Sequence, residues 1–461
     1  MSFENLGSTG SVVFDDADVV ADDTLIYHGS GSDDSFGLST TGIISLNSQV
    51  SVDVDADVAT LTLDGLDGDD TFAVTAGHGI GTVNLVGGGP SASDIANLTG
   101  DGTAVTVALS DPASVSGGGL GTINLPGIET VNLDAASGDV NADGTTGDDT
   151  LSYAPTDTDA GTIAVDGLNT GFSLSNVGSL TIDTAAGTDL VTVLGNASDN
   201  TIGVIRAANT SVTVDALQAA EIVSASTEHL VVSAGLGDDT TNVSGTGGPE
   251  LTIDGGGNSD TLNIANTAAG TTTVSPGSTS DSGSIQTPDT ANTTSFAGIE
   301  FVSLTGASAT DDLALRGTLD NDTITLGSNL ASVNDRTSIT FSSFDDVSLL
   351  GLDGDDTLTV DPTSLAGVTT VAVLGGLGQD SLHVLGSGGA DAIGFAPTSS
   401  TAAAVTITGA ATTNITGTEL LLIDGAEGND TLTVTTPAGA TTTSLTPGAT
   451  IDSGDIQVAS L

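Results

Sequence analysis

The residues with chemistry to offer are aspartates, and they recur in one setting. A glycine is followed within five residues by Asp-Asp, Asn-Asp or a close variant, then by Thr or Ser and an apolar/polar alternation. The pattern reads GLDGDDTFAV at 65–74, GTTGDDTLSY at 144–153, GLGDDTTNV at 235–243 and GGGNSDTLNI at 255–264. It returns as GTLDNDTITL at 317–326, GLDGDDTLTV at 351–360, GGLGQDSLHV at 375–384 and GAEGNDTLTV at 425–434. GSGSDDSFGL at 29–38 and GSGGADAIGF at 386–395 are weaker copies. Short carboxylates on a glycine turn suit a hard cation, because calcium takes six to eight oxygens at about 2.3–2.6 Å. One loop fills part of that shell, and a second loop stacked about 4.8 Å away supplies more. Carboxylates stacked that closely repel by roughly 3–4 kcal/mol per pair at an effective dielectric near 20. A divalent cation removes the repulsion.

The expected cofactor is therefore Ca2+, several ions. The expected ligands in the first half are Asp33, Asp34, Asp67, Asp69, Asp70, Asp148, Asp149, Asp189, Asp238 and Asp239. In the second half they are Asp260, Asp320, Asp322, Asp353, Asp355, Asp356, Asp380, Glu427 and Asp430, with Asp391 just before Ala392. Turn chemistry is the alternative, since Asp, Asn and Gly populate tight turns without any metal. Other acidic tracts, at Asp15-Asp16, Asp22-Asp23, Asp53, Asp55, Asp57, Asp311-Asp312 and Asp345-Asp346, read as solvated strand faces.

Composition narrows the remaining chemistry. The chain has 461 residues, a formal net charge of -57, no Cys and no Trp. Its bases are Arg206, Arg316 and Arg336, without a lysine. Binding to nucleic acid or to an anionic membrane surface needs clustered Lys and Arg and is excluded. No apolar run is long enough to insert in a membrane as a helix. Missing Cys excludes thiol catalysis and disulfides. His28, His78, His229 and His383 show no metal-site spacing and read as loop or surface residues. No nucleophile motif or phosphate loop is present, so the chain is expected not to be an enzyme. Eight of the 60 acids are glutamate, and a bias this strong toward Asp is positional rather than a general acidity.

The elements that carry these loops are short strands. Runs such as Leu61–Leu63, Thr82–Leu85, Glu129–Leu133, Ser179–Ile182 and Glu300–Leu304 alternate with period two between Gly, Asp, Ser or Asn. No stretch has a helical period, and 216–222 reads as an unmarked coil. With 37% hydrophobic and 3% aromatic residues, the core must be thin and filled by small branched side chains. Key aspartates stand 21–24 or 34–40 residues apart, which a coil of roughly 20 residues, sometimes unmarked, accounts for. A longer repeat lies above this one. ELTIDGGGNSDTLNI at 250–264 matches ELLLIDGAEGNDTLTV at 419–434, and TTTVSPGSTSDSGSIQ at 271–286 matches TTTSLTPGATIDSGDIQ at 441–457. The segment from Ser2 to Glu4 resembles that from Ser295, so the sequence nearly closes on its own repeat. The expected fold is all-β, a right-handed parallel β-helix (β-solenoid) continuous over 1–461, one elongated rod of roughly 110 Å.

The signature resembles the hemolysin-type (RTX) calcium-binding nonapeptide, G-G-x-G-x-D-x-U-x. Gly375, Gly376, Gly378, Asp380 and Leu382 fit every fixed position. Gly351, Gly354, Asp356 and Leu358 fit all but one, as do Gly65, Gly68, Asp70 and Phe72; Gly425, Gly428, Asp430 and Leu432 fit as well. The resemblance implies calcium held by Asp carboxylates and backbone carbonyls. RTX arrays repeat without a break, whereas these motifs stand singly. A wider β-helix with one Asp-rich corner column follows, similar to bacterial extracellular β-strand-repeat proteins. That likeness implies a structural protein of the cell exterior or surface: a fibre, biofilm-matrix or surface-layer component. It would assemble head to tail with itself, with matrix polysaccharide as a possible further partner. No signal-peptide pattern opens the sequence, so export is expected to use another signal. The alternatives are a calcium-triggered spacer or adhesin, a polysaccharide-active β-helix enzyme, and a halophile surface protein.

Overall fold

The computed structural model describes residues 11–14, 23–54, 58–89, 93–308, 310–437, 442–449 and 452–459. Asp15, Asp16, Asp22, Asp55, Asp57 and the segment from Ser2 to Glu4 lie outside them. The chain divides into two compact units. One comprises Met1–Asn196, Asn200–Ala234 and Gly248–Glu250; the other comprises Ala197–Asp199, Gly235–Gly247 and Leu251–Leu461.

Each unit is a parallel β-helix. Period-two alternation puts one face of every strand inside: Phe72 and Val74 are buried in Thr71–Thr75, while Ala73 is exposed. The chain passes alternately between two sheets, so successive strands of one sheet stack in register. In the first unit Thr71, Phe72 and Val74 lie over Ile95, Ala96 and Leu98, and these over Thr130, Val131 and Leu133. In the other sheet Leu61 and Leu63 lie over Val83 and Leu85. The second unit repeats this, with Leu358 and Val360 over Leu382 and Val384. The core is a stack of Val, Leu and Ile, each contributing about 1.5–3 kcal/mol on full burial. Phe36 and Phe72 stack with ring centroids 5.0 Å apart, and Phe341 and Phe344 meet edge to face at 6.4 Å.

The two spacing classes of the aspartates have a different origin from unmarked coils. Asp70 and Asp94 are 24 residues apart, and one strand of each sheet lies between them. Asp34 and Asp70 are 36 apart. The additional residues form Ile43–Leu46, which folds back antiparallel onto Ser35–Leu38, and Ser51–Val54, which folds back antiparallel onto Ile43–Leu46. Such three-strand zigzags recur throughout. The first unit also has Val105–Ala108 with Ser114–Gly117 and Thr122–Asn124, and Thr150–Asp157 with Ala160–Val165 and Gly171–Ser175. Its fourth is Thr201–Arg206 with Asn209–Val214 and Ala220–Val223. Among its described residues the second unit has three complete ones, beginning at Thr271, Thr323 and Ala392. Within each unit they alternate between the two sheets. A plain passage adds one strand to a sheet and a zigzag adds three, so alternation keeps the sheets matched in height.

The longer repeat is structural. Thr271–Pro276 pairs with Gly283–Gln286, and Thr442–Pro447 pairs with Gly454–Ala459, with Pro276 opposite Gly283 and Pro447 opposite Gly454. The stretch 216–222 is a turn entering Ala220–Val223. Among the described residues the only helical turn is the 3-10 turn Pro362–Ser364.

Candidate functional site: paired carboxylate ladders at the corners

Strand parity decides which aspartate of a pair faces inward. Asp70 has the parity of Phe72 and Val74 and is fully buried, and Asp69 beside it is exposed. The same holds for buried Asp34, Asp149, Asp239 and Asp356 against exposed Asp33, Asp148, Asp238 and Asp355. Asp189, Asp260, Asp322 and Asp380 are buried as well.

The inward carboxylates form ladders along the stacking direction. Each accepts the backbone N–H of its counterpart one rung earlier. In the first unit Asp34 N donates to Asp70 (2.8 Å), Asp70 N to Asp94 (2.7 Å) and Asp94 N to Glu129 (2.8 Å). A second ladder runs Asp149, Asp189, Glu228. The second unit has Asp239, Asp260, Glu300 and, separately, Asp322, Asp356, Asp380, Glu419, with donor distances of 2.6–2.9 Å. Asp391 N donates to Asp430 (2.9 Å) at the opposite corner. In the second unit, then, acids line both corners rather than one.

The outward residues form a second ladder of opposite polarity. Asp33 accepts from Asp69 N (3.0 Å), Asp148 from Thr188 N (2.8 Å), Asp199 from Asp238 N (2.9 Å), and Asp238 from Ser259 N (3.1 Å). Asp355 accepts from Gln379 N (2.8 Å). The corner is where the backbone leaves the sheet and its N–H groups lose strand partners. A buried N–H without an acceptor costs about 1–3 kcal/mol, and a pair such as Asp355-Asp356 supplies one acceptor to the rung before it and one to the rung after it. Asp67, Asp320, Asp353 and Glu427 are exposed and join neither ladder. Glycine at the fourth position of the strong motif is required by the stacking. Gly68 and Gly378 have φ of 134° and 136°, and a Cβ on Gly378 would stand 1.9 Å from Gly354 O.

The motif occurs in two dialects. Where Ser or Thr lies four residues before the Asp, it donates N–H to the second carboxylate oxygen: Ser30 to Asp34, Thr145 to Asp149, Thr318 to Asp322 and Ser387 to Asp391. These aspartates begin ladders, and each leads into a zigzag. At later rungs that position is Leu66, Ala185, Gly256, Leu352 or Gly376, all at positive φ. There Oδ2 of Asp70, Asp94, Asp189, Asp260, Asp356 and Asp380 is buried without a hydrogen-bond donor. Burial is the main cause that pushes the carboxyls of Asp70, Asp94, Asp356 and Asp380 above the usual range. The ladder N–H opposes the shift and neighbouring carboxyls reinforce it. The same causes push Asp260 up to about 6. Asp311 behaves oppositely. Burial raises it, but donors from Ser308, Gly270 and Ala307 outweigh burial and hold it below the usual range.

Sequence reasoning missed the ladder ends. Glu129, Glu228, Glu300 and Glu419 each follow the last strand of a zigzag and accept the N–H of the preceding rung's Asp through Oε2. The signal was Gly-Ile-Glu at 127–129 and 298–300 and Gly-Thr-Glu at 417–419. Asp94 and Asp311 were missed as corner acids too.

Of the carboxylates expected as ligands, those of the two ladders thus each accept a main-chain N–H through one oxygen. Among the described residues, the acids whose oxygens gather within 4.8 Å in a group of three are Asp312, Asp345 and Asp346, outside the expected set. Thr271 and Thr369 hydroxyls donate to Asp312 and Asp346. His28 pairs with Asp64 at 2.8 Å and His229 with Glu250 at 3.1 Å. His78 is buried, contrary to expectation, with Nδ1 accepting from Ile80 N. Arg206 and Arg336 donate to backbone carbonyls. An apolar cleft of about 240 Å3 lies between Val12, Phe14, Leu25 and Val52, and a smaller one between Val274, Phe296 and Leu315; among the described residues neither is lined by a carboxylate or histidine. No protein-family model matches this chain, and no curated protein matches it in sequence.

Proposed function

We propose that the chain is a structural protein, a β-solenoid scaffold serving an extracellular fibre, matrix or surface layer. The observation that carries this reading is the use of the acidic side chains. They accept hydrogen bonds from the backbone of adjacent rungs instead of converging on a cleft. Two of the three arginines are likewise spent on backbone carbonyls. That is the inventory of a scaffold, and it supports a chain without catalytic chemistry. The repetition of one corner chemistry from rung to rung supports self-association by continued stacking. Calcium enters this reading as a counter-ion to the net charge of -57, not as an ion caged in each corner. Extracellular calcium at millimolar levels suits such weak association.

The test is electron microscopy and sedimentation of the full chain in millimolar calcium and in chelator. Calcium-promoted filaments or ordered arrays are expected. Monodisperse particles under both conditions would sink the assembly reading and favour a spacer within a larger secreted protein.

A further inference from the structure

The longer repeat presents the same coil twice, once covered and once open. Thr431–Val434 repeats the start of Thr261–Ala265, and Thr442–Pro447 repeats Thr271–Pro276. The two hairpins share a register, with Val274 opposite Ile285 and Leu445 opposite Ile456. In the first copy Phe301–Thr305 and Asp312–Arg316 stack in parallel on these strands. Val302 and Leu304 lie over Leu262 and Ile264, and Leu315 lies over Val274. Leu262 and Val274 are buried as a result. In the second copy no described strand takes that place, and Leu432 and Leu445 are 43% and 70% exposed.

The kind of coil that covers the first copy occurs again in the chain, with its own underside open. DTLIYHGSGSDD at 23–34 repeats DDLALRGTLDND at 311–322, and each runs on to GLDGDDT, at 65–71 and 351–357. The strand pairing agrees. Asp23–His28 pairs with Val58–Asp64, which enters that motif, as Asp312–Arg316 pairs with Asp346–Asp353. Ser11–Phe14 pairs with Ser51–Val54, the last strand of its zigzag, as Phe301–Thr305 pairs with Ser338–Ser342. Val12, Phe14, Leu25, Tyr27 and Val52 line the apolar cleft of about 240 Å3. Phe14 is 45% exposed, whereas Leu304 at the equivalent place is buried.

We infer that two copies of this chain join by making the internal coil junction between molecules. Thr431–Val434 of one copy stacks in parallel on Ser11–Phe14 of a second, and Thr442–Pro447 stacks on Asp23–His28. This rests on the self-association proposed above and gives it a partner and a register. Transferred from the internal junction, that register sets Leu432 over Val12, Val434 over Phe14 and Leu445 over Tyr27. The strands suit the contact. Copies with a net charge of -57 repel one another, yet Ser11–Phe14, Thr431–Val434 and Thr442–Pro447 contain no acid, and Asp23–His28 contains one. Sheet edges are normally guarded by charge, because their open N–H and C=O rows template further pairing. The two contact surfaces differ, so the joint is heterologous and propagates instead of closing as a two-fold dimer.

The chain has no cysteine, so introduced thiols report the joint. Val13 and Thr433 occupy the outward positions that Ser303 and Asn263 pair at the internal junction. Full-length Val13→Cys and Thr433→Cys proteins are mixed in millimolar calcium with a short bismaleimide that links Asn263→Cys to Ser303→Cys within one chain. The mixture should give a covalent dimer, and neither variant alone should. Leu445→Asp and Phe14→Asp, at positions exposed in the single chain, should abolish filaments and leave the melting of the dilute chain unchanged. Filaments without the mixed crosslink would overturn this joint and leave self-association standing, as would Leu445→Asp filaments as long as those of the wild type. A crosslink of Val13→Cys to itself would mean a head-to-head contact and also overturn it. A monodisperse wild type without the crosslink would overturn both the joint and the self-association.

Discussion

At the residue scale, the corner assigns different work to neighbouring positions, and substitutions should separate it. Leu66 and Leu352 hold φ of 73° and 83°, a region that costs an L-residue roughly 1–2 kcal/mol. Leu66→Gly should therefore stabilise by about 1 kcal/mol in denaturant unfolding. The same position one rung later behaves oppositely. A Cβ on Gly376 would stand 1.7 Å from Leu352 O, so Gly376→Ala should cost at least about 2 kcal/mol. Ladder ends test reach: Glu129→Asp leaves Asp94 N buried without its acceptor and should cost about 1–3 kcal/mol, whereas Glu129→Gln retains an acceptor and should cost far less. Much of this was written in the sequence. Parity with Phe72 tells that Asp70 faces in and Asp69 out, and Ser30 or Thr318 before an Asp marks a ladder start. The cation reading took the pair as one ligand set, because spacing alone does not say that two adjacent carboxylates point to opposite sides of the wall.

At the element scale, the solenoid and its strands were legible, but the zigzags were not. Ile43–Leu46 alternates with the same period as Thr71–Thr75, and period two is common to parallel and antiparallel strands. Only the residue excess between aspartates carried the difference, and an unmarked coil explains such an excess equally well. The matched height of the two sheets makes the distinction testable. Deleting the returning strands Ser114–Gly117 and Thr122–Asn124 leaves one sheet of the first unit two strands short opposite an intact partner sheet. Buried residues such as Val131 and Leu133 then lose cover. The deletion should abolish a single cooperative melt by circular dichroism. Removing Ala160–Val165 and Gly171–Ser175 as well restores the match, and this double deletion should recover cooperative melting. If the single deletion melts like the full chain, the sheets are not height-matched through their zigzags.

At the scale of the whole molecule, the net charge of -57 sets a standing cost, because self-repulsion favours an expanded chain. The hydrogen-bonded corners hold that charge in place without neutralising it, so the remaining repulsion is open to screening. The screening length falls from about 30 Å at 0.01 M salt to 3 Å at 1 M. Sodium chloride alone should therefore raise the melting temperature by several degrees across that range. Calcium should do so at far lower concentration, since a divalent ion condenses more strongly on a dense acidic surface. The form of the calcium curve discriminates between mechanisms. Counter-ion screening predicts a graded rise without fixed stoichiometry, which added sodium chloride erodes. Caged ions predict saturable uptake of a fixed number per chain, a plateau in melting temperature and indifference to sodium. Calorimetric titration alongside the melts reads both. The graded curve is expected, because one oxygen of each of these ladder carboxylates already accepts a backbone N–H group, on both sides of the wall. A plateau at a fixed number of ions would mean that calcium displaces those hydrogen bonds, and the corners would then differ in geometry between the calcium-free and calcium-loaded chain.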